Sequence, residues 1–210
     1  MKSKADVVII GGGINGCSLA YCLAKKGLDV FLVEKKYLSS GATGACGAGI
    51  RQQWSTRENA SLAIQSVKIF EQLSKELNQD IEFRQGGYLI AVHDEKEMKQ
   101  AEKNVAMQRS LGLKVEILKP EEITGVVPIL NVKGMRAIGA TFCPTDGHAN
   151  PFKTTFAYAD AARKHGAEIN THTTLTDVKT AKKAIRAVVT DQGIIQTDVV
   201  VNAAGIDSKT

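Results

Sequence analysis

Apolar residues run along this chain in a strand–helix–strand pattern near its start, and that pattern sets the expected architecture. A short run at residues 7–10, Val-Val-Ile-Ile, leads straight into Gly11, Gly13 and Gly16. Apolar positions then recur at helical spacing through Leu19, Leu23 and Ala24 until Gly27, and a second run at residues 30–33 stops at Glu34. Strand, glycine turn, helix, strand and acid in this order predict the βαβ unit that binds dinucleotides. Gly11 serves the tight turn out of the strand, Gly13 leaves room for a pyrophosphate against the backbone, and Gly16 brings the helix close to the sheet. The helix start at Ile14 offers free N–H groups and the positive end of its dipole to phosphates. Glu34 is placed to accept hydrogen bonds from ribose hydroxyls, and its charge disfavours a 2′-phosphate, hence NADP. The motif leaves FAD against NAD open.

Beyond Glu34 comes a loop at residues 35–53 with glycines at 41, 44, 47 and 49. A long glycine-rich loop inside a compact domain is either functional or a mobile linker, and its place after the ribose-binding acid favours function. Ser55-Thr56-Arg57-Glu58 reads as a capping box with Ser55 as the cap. It opens a helix to about residue 78, with Ala63, Val67, Phe70 and Leu77 inward. A strand at 83–92 broken by Gly86-Gly87, an amphipathic helix at 95–111 with Met98, Ala101 and Val105 inward, a strand at 115–118, a brief helix at 119–123 and a strand at 135–143 follow. After a turn at 144–148, Asn150 caps a helix with Pro151 at its first position. Phe152, Phe156, Ala159 and Ala162 are its expected inner face, and Gly166 ends it. The remainder reads as strands at 167–171, 175–179, 185–190, 194–196 and 199–205, with a hairpin at Asp191-Gln192-Gly193. The expected fold is α/β: a discontinuous Rossmann-like domain of residues 1–82 and 144–210, interrupted by an α+β substrate-domain segment at residues 83–143.

Composition narrows the function classes. The 210 residues carry a net charge of +5, spread in short lysine pairs without interleaved aromatics, so nucleic-acid binding is not expected. Cys17, Cys22, Cys46 and Cys143 match no metal-site spacing and form no Cys-x-x-Cys pair, which predicts free thiols in a reducing cytoplasm and no metal. No apolar run is long enough to span a membrane, and the first apolar run is a strand rather than a signal sequence.

Three stretches together go beyond a generic nucleotide fold: residues 8–34, the loop at 41–53 that ends Cys46-Gly47-Ala48-Gly49-Ile50-Arg51-Gln52-Gln53, and Val199-Val200-Val201-Asn202-Ala203-Ala204-Gly205. In this order they resemble the FAD-dependent amine and amino-acid oxidoreductases of the D-amino-acid oxidase superfamily. The loop looks most like that of the β subunit of sarcosine oxidase and of dye-linked L-proline dehydrogenase, and Asp146-Gly147-His148 followed by Asn150-Pro151 fits that group. The resemblance implies an FAD-binding domain with Gly11, Gly13, Ile14 and Gly16 at the pyrophosphate and Glu34, with Lys35 beside it, at the ribose. Thr43, Gly44, Ala48, Gly49 and Ile50 would follow the pyrophosphate, ribityl chain and flavin. Leu175 would meet the adenine, and Ala203, Ala204 and Gly205 would pass close to the cofactor.

The implied chemistry is hydride removal from the carbon next to the nitrogen of a small amine or amino acid (sarcosine, glycine, proline or D-amino acid type), with the flavin as acceptor. Arg51 is the one substrate-side candidate: its guanidinium either pairs with a substrate carboxylate or shapes the loop. Three departures from relatives matter. Ala45 and Cys46 stand where some carry a flavin-linking His, so FAD is expected to be non-covalent. Pro151 stands where heterotetrameric sarcosine oxidases tether FMN, and Asp207 where many have Trp. His148 reads as a capping or packing residue. Family chains continue past the Ala-Ala-Gly strand, so this chain is expected to be a truncated part, with other subunits of a hetero-oligomeric dehydrogenase as candidate partners. The alternatives are a non-catalytic FAD-binding fragment or subunit, a glycerol-3-phosphate dehydrogenase-like flavoprotein, and an NAD-dependent dehydrogenase.

Overall fold

The structure is a computed structural model and describes residues 2–209. In chain order the elements are β1 (Val7–Ile10), α1 (Ile14–Lys25), β2 (Val30–Val33), β3 (Gly49–Ile50), α2 (Arg57–Leu77), β4 (Tyr88–Val92), α3 (Glu95–Ser110), β5 (Glu116–Leu118), α4 (Pro120–Val126), α5 (Val132–Met135), β6 (Gly139–Cys143), β7 (Gly147–His148), α6 (Pro151–Lys164), β8 (Glu168–Asn170), β9 (Leu175–Ala181), β10 (Ala184–Thr190), β11 (Gly193–Gln196) and β12 (Val199–Asn202), followed by a 3-10 turn at Gly205–Lys209. Two compact units divide the chain: the residues up to Gly47, Lys75–Ile81 and those from Asn150 on form one, and Ala48–Ser74 with Glu82–Ala149 the other. The expected boundaries at 82/83 and 143/144 concern cofactor and substrate domains; the compact units part the chain at other points.

The first unit is built on a parallel sheet in the order β12-β1-β2-β8, with Val7 opposite both Val30 and Val199. Its central strands are buried except for the half-buried Ile10 at the end of β1, as the unbroken apolar runs predict. One side of the sheet packs with the antiparallel meander β9–β11: Val8, Phe31 and Val33 share a cluster with Val188 and Ile195, and Leu175 and Val200 close its edge. Helices α1 and α6 pack against each other, and α1 buries Gly16, Cys17, Ala20, Tyr21 and Ala24. The rings of Tyr21 and Tyr158 meet at 5.8 Å. Burial pushes the Tyr158 hydroxyl up to about 12. Tyr21 Oη and Lys25 Nζ both donate to Glu76 Oε1, at 2.9 and 2.8 Å, which ties the end of α2 to α1.

The face of α6 departs from expectation. Asn150 does cap it, accepting from the Phe152 and Lys153 amides. The buried residues, however, are Thr154, Thr155, Ala157, Ala159, Ala161 and Ala162, whereas Phe152 and Phe156 are 40% and 42% exposed. Close helix packing selects small side chains for the contact and turns the larger rings outward.

In the second unit, β4, β6 and β5 form an antiparallel sheet with β6 in the centre. Val105, Leu113, Val115 and Cys143 form one cluster and Leu118, Ile123, Ala137 and Ala140 another. Asp94 caps α3 through the Glu97 amide, and the Glu97 carboxylate returns to the His93 amide, a reciprocal cap. Two boundaries move. The α2 cap is Thr56, whose hydroxyl accepts from the Asn59 amide at 3.4 Å, one residue after the expected Ser55. The strand expected from residue 135 begins at Gly139, because Asn131 caps a short helix through Gly134 and Arg136 turns left-handed at φ 53°.

Gly16 carries the tightest packing constraint of the first unit. A Cβ there would lie 1.9 Å from the Gly11 carbonyl oxygen, so α1 cannot keep its distance from the sheet. Gly16→Ala is expected to destabilise the fold by about 3 kcal/mol, an overpacking cost, read as a lower urea midpoint with an unchanged slope.

Candidate functional site

The parallel sheet changes direction between β12 and β1: the chain leaves β1 towards β2 and returns on the other side through β12. Crevices at the carboxyl ends of strands on such a switch point are where ligands bind in open α/β sheets. Gly11, at φ 112°, takes the chain out of β1 there, and its amide donates to the Val33 carbonyl at 2.8 Å. The segment after β12 crosses the same point: the Ala203 amide donates to the Ile10 carbonyl at 2.8 Å, and a Cβ on Gly11 would lie 2.4 Å from the Ala203 carbonyl oxygen. Gly11, Ala203 and Ala204 are thereby brought together, and Gly205 opens the final turn. The N-cap of α1 is Gly13, without a side-chain cap, and its first turn carries no acid. Both suit an anionic ligand.

Glu34 lies beside this helix start and is 9% exposed. Its Oε2 accepts from the Gly12 amide at 2.7 Å, its Oε1 from the Lys36 amide at 2.8 Å. The Ser40 hydroxyl also donates to Oε1, at 3.4 Å. An ionised carboxylate has about four acceptor positions, so Oε2 keeps capacity for a ribose hydroxyl. The Gly12 contact was not foreseen, although three consecutive glycines mark the spot. A Cβ at Gly12 would strike Leu38 and Glu34 within 3 Å. Lys35, expected at the cofactor, forms an exposed ion pair with Asp207 at 2.7 Å.

In the loop after β2, Thr43 Oγ1 accepts from the Ile14 amide at 3.1 Å. Thr43 thus sits at the helix start, and one of the amides expected for the pyrophosphate is already engaged. Gly44 lies under Phe152, whose ring tip would be 2.9 Å from a Cβ there. Ser39, buried at φ 67°, has a hydroxyl without a hydrogen-bond partner among the described residues. Leu175 opens β9 and packs against the core cluster of the meander. Burial pushes the Cys17 thiol up to about 12, which makes it an inert packing residue rather than a nucleophile. The donor set at this end of the sheet therefore fits a dinucleotide: glycine backbone, a helix start with no acid in its first turn and a carboxylate that has no cationic partner among the described residues.

The second unit holds the other predicted residues. Ala48 is left-handed at φ 62° and its carbonyl accepts from the Ala149 amide. Gly49 and Ile50 pair with His148 and Gly147, and His148 also bridges Arg84. His148 is thus placed by backbone pairing, with an exposed side chain. The Arg51 guanidinium lies over the Trp54 ring at 4.4 Å, and the Trp54 indole N–H donates to the Arg51 carbonyl at 3.0 Å. Among the described residues no carboxylate pairs with Arg51. Gly49, Ile50, Arg51 and Trp54, with Leu62 and Ala63 of α2, line a cavity of about 360 Å³, within the range of small-molecule sites.

Asp146, read from sequence only as part of a turn, is fully buried. It accepts from the Gln52 amide at 2.8 Å, from Gln52 Nε2 at 3.0 Å and from Gln53 Nε2 at 3.2 Å. Among the described residues no group of three or more His, Cys, Asp or Glu side chains could hold a metal, and no helix is long and apolar enough to cross a membrane.

Comparison with known proteins agrees with this geometry. The solved L-proline dehydrogenase from P. horikoshii superposes with a TM-score of 0.90 at 37% identity, over 97% of this chain and 53% of that one. Mitochondrial dimethylglycine dehydrogenase of Mus musculus is 33% identical over 206 residues, 97% of this chain and 23% of that protein. Sarcosine oxidase subunit beta of Arthrobacter sp is 32% identical over 199 residues, 92% of this chain and 49% of that protein. The chain thus spans about half the length of two of these relatives and about a quarter of the third. The model of the FAD dependent oxidoreductase family, DAO, matches residues 6–210. This chain belongs to that family.

Proposed function

We propose that this chain is the cofactor-binding portion of an FAD-dependent oxidoreductase that oxidises the C–N bond of a small amine or amino acid of the sarcosine, glycine, proline or D-amino acid type. The observation that carries the proposal is the carboxyl end of the parallel sheet, where a glycine-capped helix start without acids, the Gly11–Ala203 crossing and Glu34 meet at a switch point. FAD, when bound, supplies the acceptor for a hydride from the carbon next to the amine nitrogen.

The chain's own groups bind and orient. The backbone of Gly11, Gly13 and Gly16 with the Ile14 helix start takes the pyrophosphate, and Glu34 accepts the ribose hydroxyls. Its charge rejects a phosphorylated ribose. Thr43, Gly44, Ala48, Gly49, Ile50, Leu175, Ala203, Ala204 and Gly205, with Lys35, keep the cofactor roles that the family resemblance gives them. The dinucleotide is held non-covalently: Ala45 and Cys46 stand where some relatives carry a flavin-linking His, so a His–flavin bond has no residue to form it. Arg51 pairs with the substrate carboxylate: its guanidinium has no acid partner among the described residues, is stacked rather than free, and lines a cavity of suitable size. The substrate enters as a small amine or amino acid, and the relatedness to a sarcosine oxidase β subunit makes further subunits of a hetero-oligomer the natural partners.

Two outcomes are expected. Purified protein mixed with FAD should retain a flavin spectrum through gel filtration and release all flavin to the supernatant on acid precipitation. Glu34→Gln should weaken FAD about tenfold, the scale of one charge-assisted hydrogen bond. A colourless protein that takes up NAD instead contradicts the proposal. In the active, assembled enzyme, Arg51→Lys should raise the KM of a carboxylate substrate by roughly tenfold, because a point-charge ammonium loses the bidentate geometry. An unchanged KM removes Arg51 from the substrate site.

A further inference from the structure

We infer that Asp146 is a positioning residue for the Arg51 guanidinium, acting through Gln52 and Gln53. Its part in substrate binding presupposes the Arg51 role proposed above; its part in placing Arg51 does not.

Three amide donors converge on the Asp146 carboxylate: the Gln52 backbone N–H, Gln52 Nε2 and Gln53 Nε2, and the neutral Cys143 thiol lies beside it. Among the described residues no cation pairs with it, although its side chain is wholly buried. Burying a carboxylate without a counter-ion is costly, and a turn alone needs none. What the charge provides here is acceptor capacity: an ionised carboxylate accepts at both oxygens and donates at neither. The backbone of Asp146 is fixed as well, through Cys143 and Gly87.

The two glutamines cannot rearrange around a weaker partner. Gln53 Nε2 also donates to the Tyr88 carbonyl at 2.8 Å, while Gln53 Oε1 accepts from the Thr141 hydroxyl at 2.7 Å. Turning its amide over would break the first contact and strain the second. Gln52 Nε2 also reaches Thr145 Oγ1 at 2.9 Å. On the far side, Gln108 Nε2 donates to the Trp54 carbonyl at 2.8 Å. Residues 52–54 are therefore held along their length, and Arg51 sits between this clamp and the paired Gly49–Ile50. With its carbonyl taken by the Trp54 indole and its guanidinium over the Trp54 ring, Arg51 has its direction set from outside its own side chain.

Trp54 is the only tryptophan in the sequence, so its fluorescence reports this arrangement in FAD-free protein. Asp146→Asn keeps one acceptor and sets an NH₂ against Gln53 Nε2. It should red-shift Trp54 emission and raise its acrylamide quenching constant while leaving the far-UV circular dichroism unchanged. Gln53→Met, which removes one arm and keeps the volume, should shift both in the same direction by less, and decides the matter if Asp146→Asn fails to fold. In an Arg51→Met background the Asp146→Asn shift should shrink. In the active enzyme, Asp146→Asn should raise the KM of a carboxylate-bearing substrate by several-fold, leaving kcat and the KM of a carboxylate-free amine nearly unchanged.

Unaltered Trp54 emission and quenching in the folded variants overturns the inference. So does a shift of the same size with and without Arg51, which would make Asp146 a clamp on Trp54 alone. Equal KM effects on both substrates overturn the substrate part. Failure of wild-type protein to bind FAD would sink the proposed function and leave the Trp54 comparison to decide the placement of Arg51.

Discussion

Three backbones cross within contact distance at the carboxyl end of β1, and the first unit depends on that crossing. Gly11 has the Ala203 carbonyl against it on one side and is itself against Gly16 on the other, with built Cβ atoms meeting oxygen at 2.4 and 1.9 Å. Any side chain at either glycine would push α1 from the sheet or β12 from β1. Because nothing does, the start of α1, the end of β1 and the turn after β12 share one small region. A helix start with no acid in its first turn, beside a switch point, suits an anionic ligand, although the Thr43 hydroxyl already takes its first amide.

Two buried carboxylates organise the residues around the candidate sites, one in each unit, and both work through neutral donors. Glu34 holds the turn at Gly12 and the chain at Lys36; Asp146 holds Gln52 and Gln53. Such acids stabilise little in themselves, since desolvation offsets much of what the hydrogen bonds contribute. Their effect is geometric. Glu34 keeps acceptor positions facing the helix start, and Asp146 keeps the segment carrying Arg51 and Trp54 in one conformation.

Much of the first unit was legible in the sequence because its signals are local. Glycine spacing, two unbroken apolar runs and an acid at a strand end specify the βαβ unit without knowledge of distant residues, and β1, α1, β2 and the Asn150–Pro151 cap lie where the pattern puts them. What failed depended on partners far along the chain. The outward turn of Phe152 and Phe156 follows from small-residue packing of α6 on α1, which the periodicity of α6 alone cannot reveal. The pairing of Gly49–Ile50 with Gly147–His148 involves strands too short to show alternation. Asp146 read as an ordinary turn residue because its donors lie about ninety positions earlier; an acid followed by glycine gives no local hint of burial. The cap expected at Ser55 is made one residue later, by Thr56.

The central claim is that the carboxyl end of the parallel sheet is the dinucleotide site and that Glu34 selects an unphosphorylated ribose. Backbone amide NMR of labelled protein titrated with FAD tests it most directly. The account predicts that the amides of Gly11, Gly12, Gly13, Ile14, Asn15 and Gly16 and those beside Glu34 shift on adding FAD, and that NADP leaves them in place. Shifts confined to other residues, or an equal response to NADP, would contradict it.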